Sequence, residues 1–193
     1  MKQIQFTIAL LLCGFFYAYA QTSSGPSIPD DFIAGTIVMP DNIIQQGYIK
    51  NNMKKSGEII FLSADNKKIK YTASQVLGVT VDNSSYITAN NAFYKVIADG
   101  SKIKLLRKAS NSSSIQYNGS EPIVADAGEG SYDDYFIQTV GTKKLQLVRK
   151  KDFAKIFTTV CADCTTLTDD LRTNKLGFAE IEQAVALYNT CAK

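Results

Sequence analysis

From Phe32 to about Arg149 the chain alternates apolar and polar residues in short runs, interrupted roughly every 8–12 residues by Gly, Asn, Asp or Ser. A period of two sends successive side chains to opposite faces of a strand. A long stretch with this rhythm therefore folds as an antiparallel sheet with a buried face. The runs that read as strands are Phe32–Val38, Gly47–Lys50, Glu58–Ser63, Lys68–Thr72, Val76–Val81, Ser85–Thr88, Ala92–Ala98, Lys102–Arg107, Ile115–Tyr117, Tyr135–Val140 and Lys144–Arg149. Asp99-Gly100 falls between two of them and signals a two-residue hairpin, because type I′ turns need positive φ at both central positions. Asp65-Asn66 and Asn118-Gly119 mark further turns. No repeat is long enough for a solenoid or propeller.

The rhythm changes at Asp152. Phe153, Ile156, Phe157 and Val160 recur at i, i+3, i+4 and i+7, one face of a helix, with Asp152 placed as its N-cap. A second helix is predicted over Leu167–Arg172, opened by Thr165 or Thr166, with Asp169 and Asp170 near its positive end and Asn174 and Gly177 at its exit. A third runs from Phe178 to Cys191, with Phe178, Ile181, Val185 and Tyr188 on one face. Helices this short are not stable alone and must dock on the sheet or on each other. The expected fold class is α+β: an antiparallel β-sheet, roll or barrel-like unit over 32–150, then a small helical subdomain over 151–193. An outer-membrane barrel is the structural rival. The helical tail, the unequal strand lengths and the lack of aromatic girdles speak against it.

Ahead of the β unit, Lys2 precedes the apolar run Ile8–Phe16, and Ala18-Tyr19-Ala20 gives the small-x-small pattern of a signal-peptidase site. Residues 1–20 are read as a cleavable signal peptide, and the apolar run is too short to span a membrane. Lipid attachment at Cys13 is rejected because Leu12, directly before it, is not small. Cleavage leaves Gln21 at the start of a turn-rich flexible leader, 21–31. The expected location is exported: periplasmic, cell-surface or extracellular, with no transmembrane segment in the mature chain.

The chain holds no histidine and no tryptophan. That removes Ser-His-Asp and Cys-His catalysis and any histidine-containing zinc site. Lys and Arg number 21 against 18 Asp and Glu, too small an excess for a nucleic-acid partner. Phosphate-binding loops, nucleophile elbows and dinucleotide turns are absent. No catalytic residue and no cofactor is assigned. Asn83, Asn111 and Asn118 open glycosylation sequons, matches that Asn- and Ser-rich loops also produce by chance.

Cys161, Cys164 and Cys191 remain after cleavage. Cys161-Ala-Asp-Cys164 does not read as a redox pair, since Cys161 falls at a helix end where no dipole lowers its pKa. Three cysteines allow three single bridges. Cys164–Cys191 is preferred: it closes a loop across the last two helices, and an oxidising compartment favours it. Cys161 is then a buried thiol.

The stretch Glu121–Asp134 collects Glu121, Asp126, Glu129, Asp133 and Asp134. Such an oxygen-rich loop makes Asp126, Glu129, Asp133 and Asp134 weak calcium candidates, against the plainer reading of a solvated surface loop. The alternation Lys102–Lys108, with Lys67, Lys68, Lys70, Lys143, Lys144, Arg149, Lys150 and Lys151, would suit an anionic glycan or membrane surface. Lysines on strand exteriors more often guard sheet edges.

The series Gly35-Thr-Ile, Gly47-Tyr-Ile, Ile59-Ile-Phe, Lys70-Tyr-Thr-Ala-Ser, Val79, Phe93-Tyr-Lys-Val and Asp99-Gly-Ser-Lys-Ile resembles a group of uncharacterised exported proteins of the Bacteroidota. So does the ending, with Ala162-Asp163-Cys164, Phe178-Ala-Glu-Ile-Glu and Tyr188-Asn-Thr-Cys191. The resemblance implies a periplasmic or cell-surface location and supports pairing of Cys164 with Cys191; it carries no activity and does not extend to Cys161. The function expected is a non-enzymatic binding or envelope-associated module with an envelope or extracellular partner. The alternative is a carboxylate-dependent hydrolase of glycans or peptides, which requires two acids converging in a cleft. Non-reducing peptide mapping should recover Cys164 and Cys191 in one joined peptide pair; both alkylating without reductant would rule the bridge out.

Overall fold

A computed structural model of the chain describes residues 27–111, 114–118, 121–125 and 130–191, with side chains left out between 112 and 129. The signal peptide and most of the leader lie outside these residues, as do Asp126 and Glu129. Twelve strands form: β1 Ile33–Val38, β2 Ile44–Asn52, β3 Glu58–Leu62, β4 Lys68–Thr72, β5 Gly78–Val81, β6 Ser84–Ala89, β7 Ala92–Asp99, β8 Ile103–Lys108, β9 Ser114–Asn118, β10 Glu121–Ala125, β11 Tyr135–Thr139 and β12 Leu145–Val148. Ten of them make one antiparallel sheet in the order β12-β11-β8-β7-β6-β5-β1-β2-β3-β4, and β9 pairs with β10 apart from it. Among the described residues four helices join them: α1 Met53–Ser56, α2 Phe153–Val160, α3 Thr165–Arg172 and α4 Ile181–Thr190. The fold is α+β. The sheet keeps two open edges, β12 and β4, and is not a closed barrel.

The sheet curls. Phe61 on β3 and Phe93 on β7 share one buried cluster with Ile37, Ile49, Met53, Ile59, Val79 and Val81. Five strand steps separate β3 from β7, which in a flat sheet would be about 24 Å. Curling is made possible where Gly35 on β1 stands opposite Gly47 on β2. A Cβ on Gly47 would lie 2.6 Å from Phe61 Cζ, and one on Gly35 would lie 2.8 Å from Ile49 Cδ1. The core side chains of β2 and β3 fold over these bare positions.

The same face of the sheet beyond β7 is covered differently. Ile103, Leu105, Ile137 and Val148 pack against Phe153 and Phe157 of α2, Leu167 and Leu171 of α3, and Ala184, Val185 and Tyr188 of α4. The opposite face carries a smaller cluster of Ala92, Tyr94, Leu106, Phe136 and Leu147.

Several turn assignments shift. The two-residue turns with positive φ at both positions are Asp82-Asn83 and Asn90-Asn91, which join β5 to β6 and β6 to β7. Asn66 also takes positive φ at its expected turn. Asp99-Gly100 does not make a two-residue turn: Asp99 pairs with Lys104, and Gly100 has no positive φ. Its role is to leave room, because a Cβ there would collide with the amide of Asn189. That amide accepts from Lys102 N at 2.9 Å and Ile103 N at 3.0 Å, and donates to Ile103 O at 3.0 Å. Glu121–Ala125, read from sequence as part of an acidic loop, is a strand in register with β9.

The helices also differ at their starts. Asp152 ends a 3₁₀ turn, Lys150–Asp152, and makes no side-chain cap. α3 begins at Thr165, so Asp169 and Asp170 fall outside its first turn. The third segment opens as a 3₁₀ turn, Phe178–Glu180, where the Glu180 carboxylate accepts from Gly177 N at 2.9 Å.

Cys164 and Cys191 are joined, with Cα atoms 6.0 Å apart, and Cys161 is a buried free thiol. No described helix is long and apolar enough to cross a membrane. The bridge closes 27 residues of sequence separation. Replacing both cysteines with serine should therefore lower unfolding stability by about 3.5 kcal/mol. Asn189→Ala should cost about 2 kcal/mol through the backbone groups it leaves unpaired. Urea unfolding measures both, and an Asn189→Ala midpoint equal to wild type would refute the anchoring role.

Candidate functional site

A cleft of about 230 Å³ opens on the covered face of the sheet, lined by Asn51, Lys54, Tyr86, Lys95, Arg107, Lys108, Ala109, Tyr132 and Asp133. It lies where the curled core ends and the helix-covered core begins. Its floor is a cross-strand row: Tyr86 stands opposite Lys95, Lys95 opposite Arg107, and Arg107 opposite Tyr135. Side chains directly opposite each other share a face with Cβ atoms about 5 Å apart, and like charges so placed repel. Lys95 and Arg107 are such a pair.

The neighbours hold these groups in place. Arg107 Nε is 3.0 Å from Asp133 Oδ1, an ion pair without hydrogen-bond alignment, and its guanidinium lies 5.0 Å from the Tyr135 ring centre. Lys54, from α1, sits 4.6 Å over the Tyr132 ring. Tyr132 and Asp133 are carried by a loop tied to β8: Asp133 N donates to Lys108 O at 2.9 Å, and Lys108 N to Asp134 O at 2.9 Å. The buried Lys108 ammonium is turned away to Gly130 O at 2.8 Å. Asn51 accepts from Met53 N at 3.0 Å, which orients it at the start of α1. Burial, the larger cause, raises the pKa of Tyr86, opposed by contacts with Ser84 and Asn51. The phenol therefore stays neutral and can donate.

Lys95 is half-buried, and among the described residues no carboxylate comes within ion-pairing distance of it. Among the described residues, the cleft thus combines the cations Lys54, Lys95 and Arg107 with one carboxylate, that of Asp133.

The other sequence candidates fare as follows. Asp133 is spent on Arg107, and Asp134 Oδ2 accepts from Ser131 N at 2.7 Å, closing its own loop. Among the described residues no three acidic or sulfur side chains gather as a metal site. The basic run of β8 is split by its own period. Arg107 shares a face with Ile103 and Leu105, whereas Lys104 and Lys108 lie on the other face with Leu106. Lys104 pairs with Asp99 at 2.9 Å. Lys68 and Lys70 stand on the edge strand β4, where Lys70 is 3.4 Å from Glu58. Sequence reasoning missed Lys54 and Lys95: nothing marks a lysine as part of a site until strand pairing sets it beside another cation.

No family model matches the chain, and neither does any curated protein or solved structure. The site is therefore read from its own residues.

A second polar cluster ties the tail to the sheet. Lys102 Nζ lies 3.3 Å from Asp163 Oδ2 and 4.6 Å from the Tyr188 ring centre, and the Tyr188 hydroxyl donates to Val160 O at 3.1 Å. The Tyr188 hydroxyl, and then Lys102, hold the Asp163 carboxyl below its ordinary value. Desolvation pushes Cys161, Tyr94 and Tyr188 each up to about 12. These three acids bind their protons more tightly when folded. Their contribution to stability is complete below the unfolded pKa values, 9.0 for Cys and 10.0 for Tyr, and is lost as pH rises toward about 12. Urea midpoints should hold steady from pH 7 to about 9 and fall above it; a flat profile through pH 11 would contradict the burial of these protons.

Proposed function

We propose that this chain is an exported, non-enzymatic binding module of the cell envelope or extracellular space, and that the Lys95–Arg107 cleft is its ligand site. One observation carries the reading: Lys95, half-buried and without a carboxylate partner among the described residues, is held beside Arg107 in a concavity. Two like charges side by side oppose folding, and a ligand of opposite charge removes that opposition. The small-x-small site after residue 20, the Cys164–Cys191 bridge and the resemblance to exported Bacteroidota proteins support the location. The hydrolase alternative needs paired carboxylates, and among the described residues the cleft supplies only Asp133, already committed to Arg107.

The test is comparative capture. Mature protein beginning at Gln21 is immobilised and exposed to native envelope extract beside its Lys95→Glu variant. A component retained by wild type and lost by the variant is expected. Equal retention by both would remove the cleft from the function.

A further inference from the structure

Taking the cleft as the ligand site, we infer that its ligand is a single hydroxylated oxyanion, a sugar unit carrying a carboxylate or phosphate. The charge comes first. Lys95 and Arg107 point from opposed positions on β7 and β8, and the Lys54 ammonium hangs over the rim on the Tyr132 ring. Among the described residues the cleft's one carboxylate, Asp133, meets Arg107 through Nε. An oxyanion between Lys95 and Arg107 would receive charge-assisted hydrogen bonds from both, the strong class of such bonds.

Preorganisation comes second. Arg107 is braced by the Tyr135 ring and Asp133 and needs little further ordering to bind. The body of the ligand is read from the remaining wall. Asn51 offers an amide and Tyr86 a neutral phenol, groups that suit hydroxyls better than a hydrocarbon. Size agrees: a cleft of about 230 Å³ accommodates one sugar residue against the Lys95–Arg107 pair.

The test uses the mature protein and four probes: D-glucuronate, glucose 6-phosphate, glucose and inorganic phosphate. Titration calorimetry at low ionic strength gives affinity, and backbone amide shifts locate binding. Both charged sugars should bind more tightly than glucose, moving the amides of β7, β8 and the 130–134 loop. Lys95→Gln should weaken them about tenfold or more, and exposed Lys143→Gln should leave them unchanged. Preference for glucuronate identifies a carboxylate, and preference for glucose 6-phosphate identifies a phosphate. Inorganic phosphate binding as tightly as glucose 6-phosphate would remove the sugar body from the inference.

Arg107→Gln serves as a second variant, with its thermal midpoint recorded to separate lost binding from lost folding. Glucose binding in the cleft as tightly as the acids would overturn the ligand class while leaving the cleft as the site. Charged sugars that bind and move amides elsewhere, with Lys95→Gln unaffected, would overturn the cleft itself and the function built on it. No binding of any probe at millimolar concentration would overturn this inference alone, the capture experiment standing separately.

Discussion

One face of a ten-stranded sheet has to be kept from water, and the arrangement of this molecule follows from how the chain covers it. A strand face rich in Ile, Val and Phe gains about 25 cal/mol for each Å² of apolar surface removed from solvent. This chain uses two covers. The strands from β1 to β7 curl so that Phe61 and Phe93 meet in one core, and β8, β11 and β12 are roofed by the three C-terminal helices. The row Tyr86–Lys95–Arg107 runs between them, half-buried, with Tyr86 packed against the edge of the curled core. Polar and charged residues stand there because that strip stays wet. The cleft is thus the seam between two ways of burying one surface.

What fixes the second cover is a polar contact as much as an apolar one. Three-turn helices of this kind slide easily on a greasy face, since dispersion is nondirectional. Asn189 removes that freedom by answering three backbone groups of the Gly100–Ile103 loop at once. Gly100 admits the amide, and the neighbouring Cys191 is bridged to Cys164 at the start of α3. Cys161, one turn earlier, is fully buried, and its thiol is held protonated by burial. A thiol in that state does not attack a disulfide, so its proximity in sequence to Cys164 leaves the bridge undisturbed.

Much of this was legible in the sequence, for identifiable reasons. Period-two alternation placed most strands within a residue or two of their observed limits, because each needs one apolar face. The i, i+3, i+4, i+7 spacing of Phe153, Ile156, Phe157 and Val160 marked α2 in the same way. The Cys164–Cys191 bridge was readable from the helices it spans. Contacts between distant segments were not readable. Asp99-Gly100 carries the residues of a tight turn, but Asn189, far along the chain, decides what Gly100 is for. Asp82-Asn83 and Asn90-Asn91 contain no glycine, yet Asp and Asn tolerate the left-handed region well enough to build two such turns. Lys95 had no local signal at all. Its significance lies in register, which depends on every hairpin between β5 and β8.

Register also explains why the basic character of β8 was misleading as a linear run. Lys104, Arg107 and Lys108 appear as one patch in sequence, but period two separates them, and each is answered by its own neighbour: Asp99, Asp133 and the Gly130 carbonyl. Lys102, just ahead of β8, is answered by Asp163 and the Tyr188 ring of the tail. Against this habit of pairing, Lys95 stands out. A surface lysine without a partner means little, because water solvates it and surface pairs contribute at most about 1 kcal/mol. A half-buried one set opposite an arginine is different: it loses part of its solvation and adds repulsion, with no described contact in return. A neutral residue such as Gln or Thr would fit the strand as well and remove that repulsion. The proposed anionic ligand would supply the missing counter-charge from outside the chain.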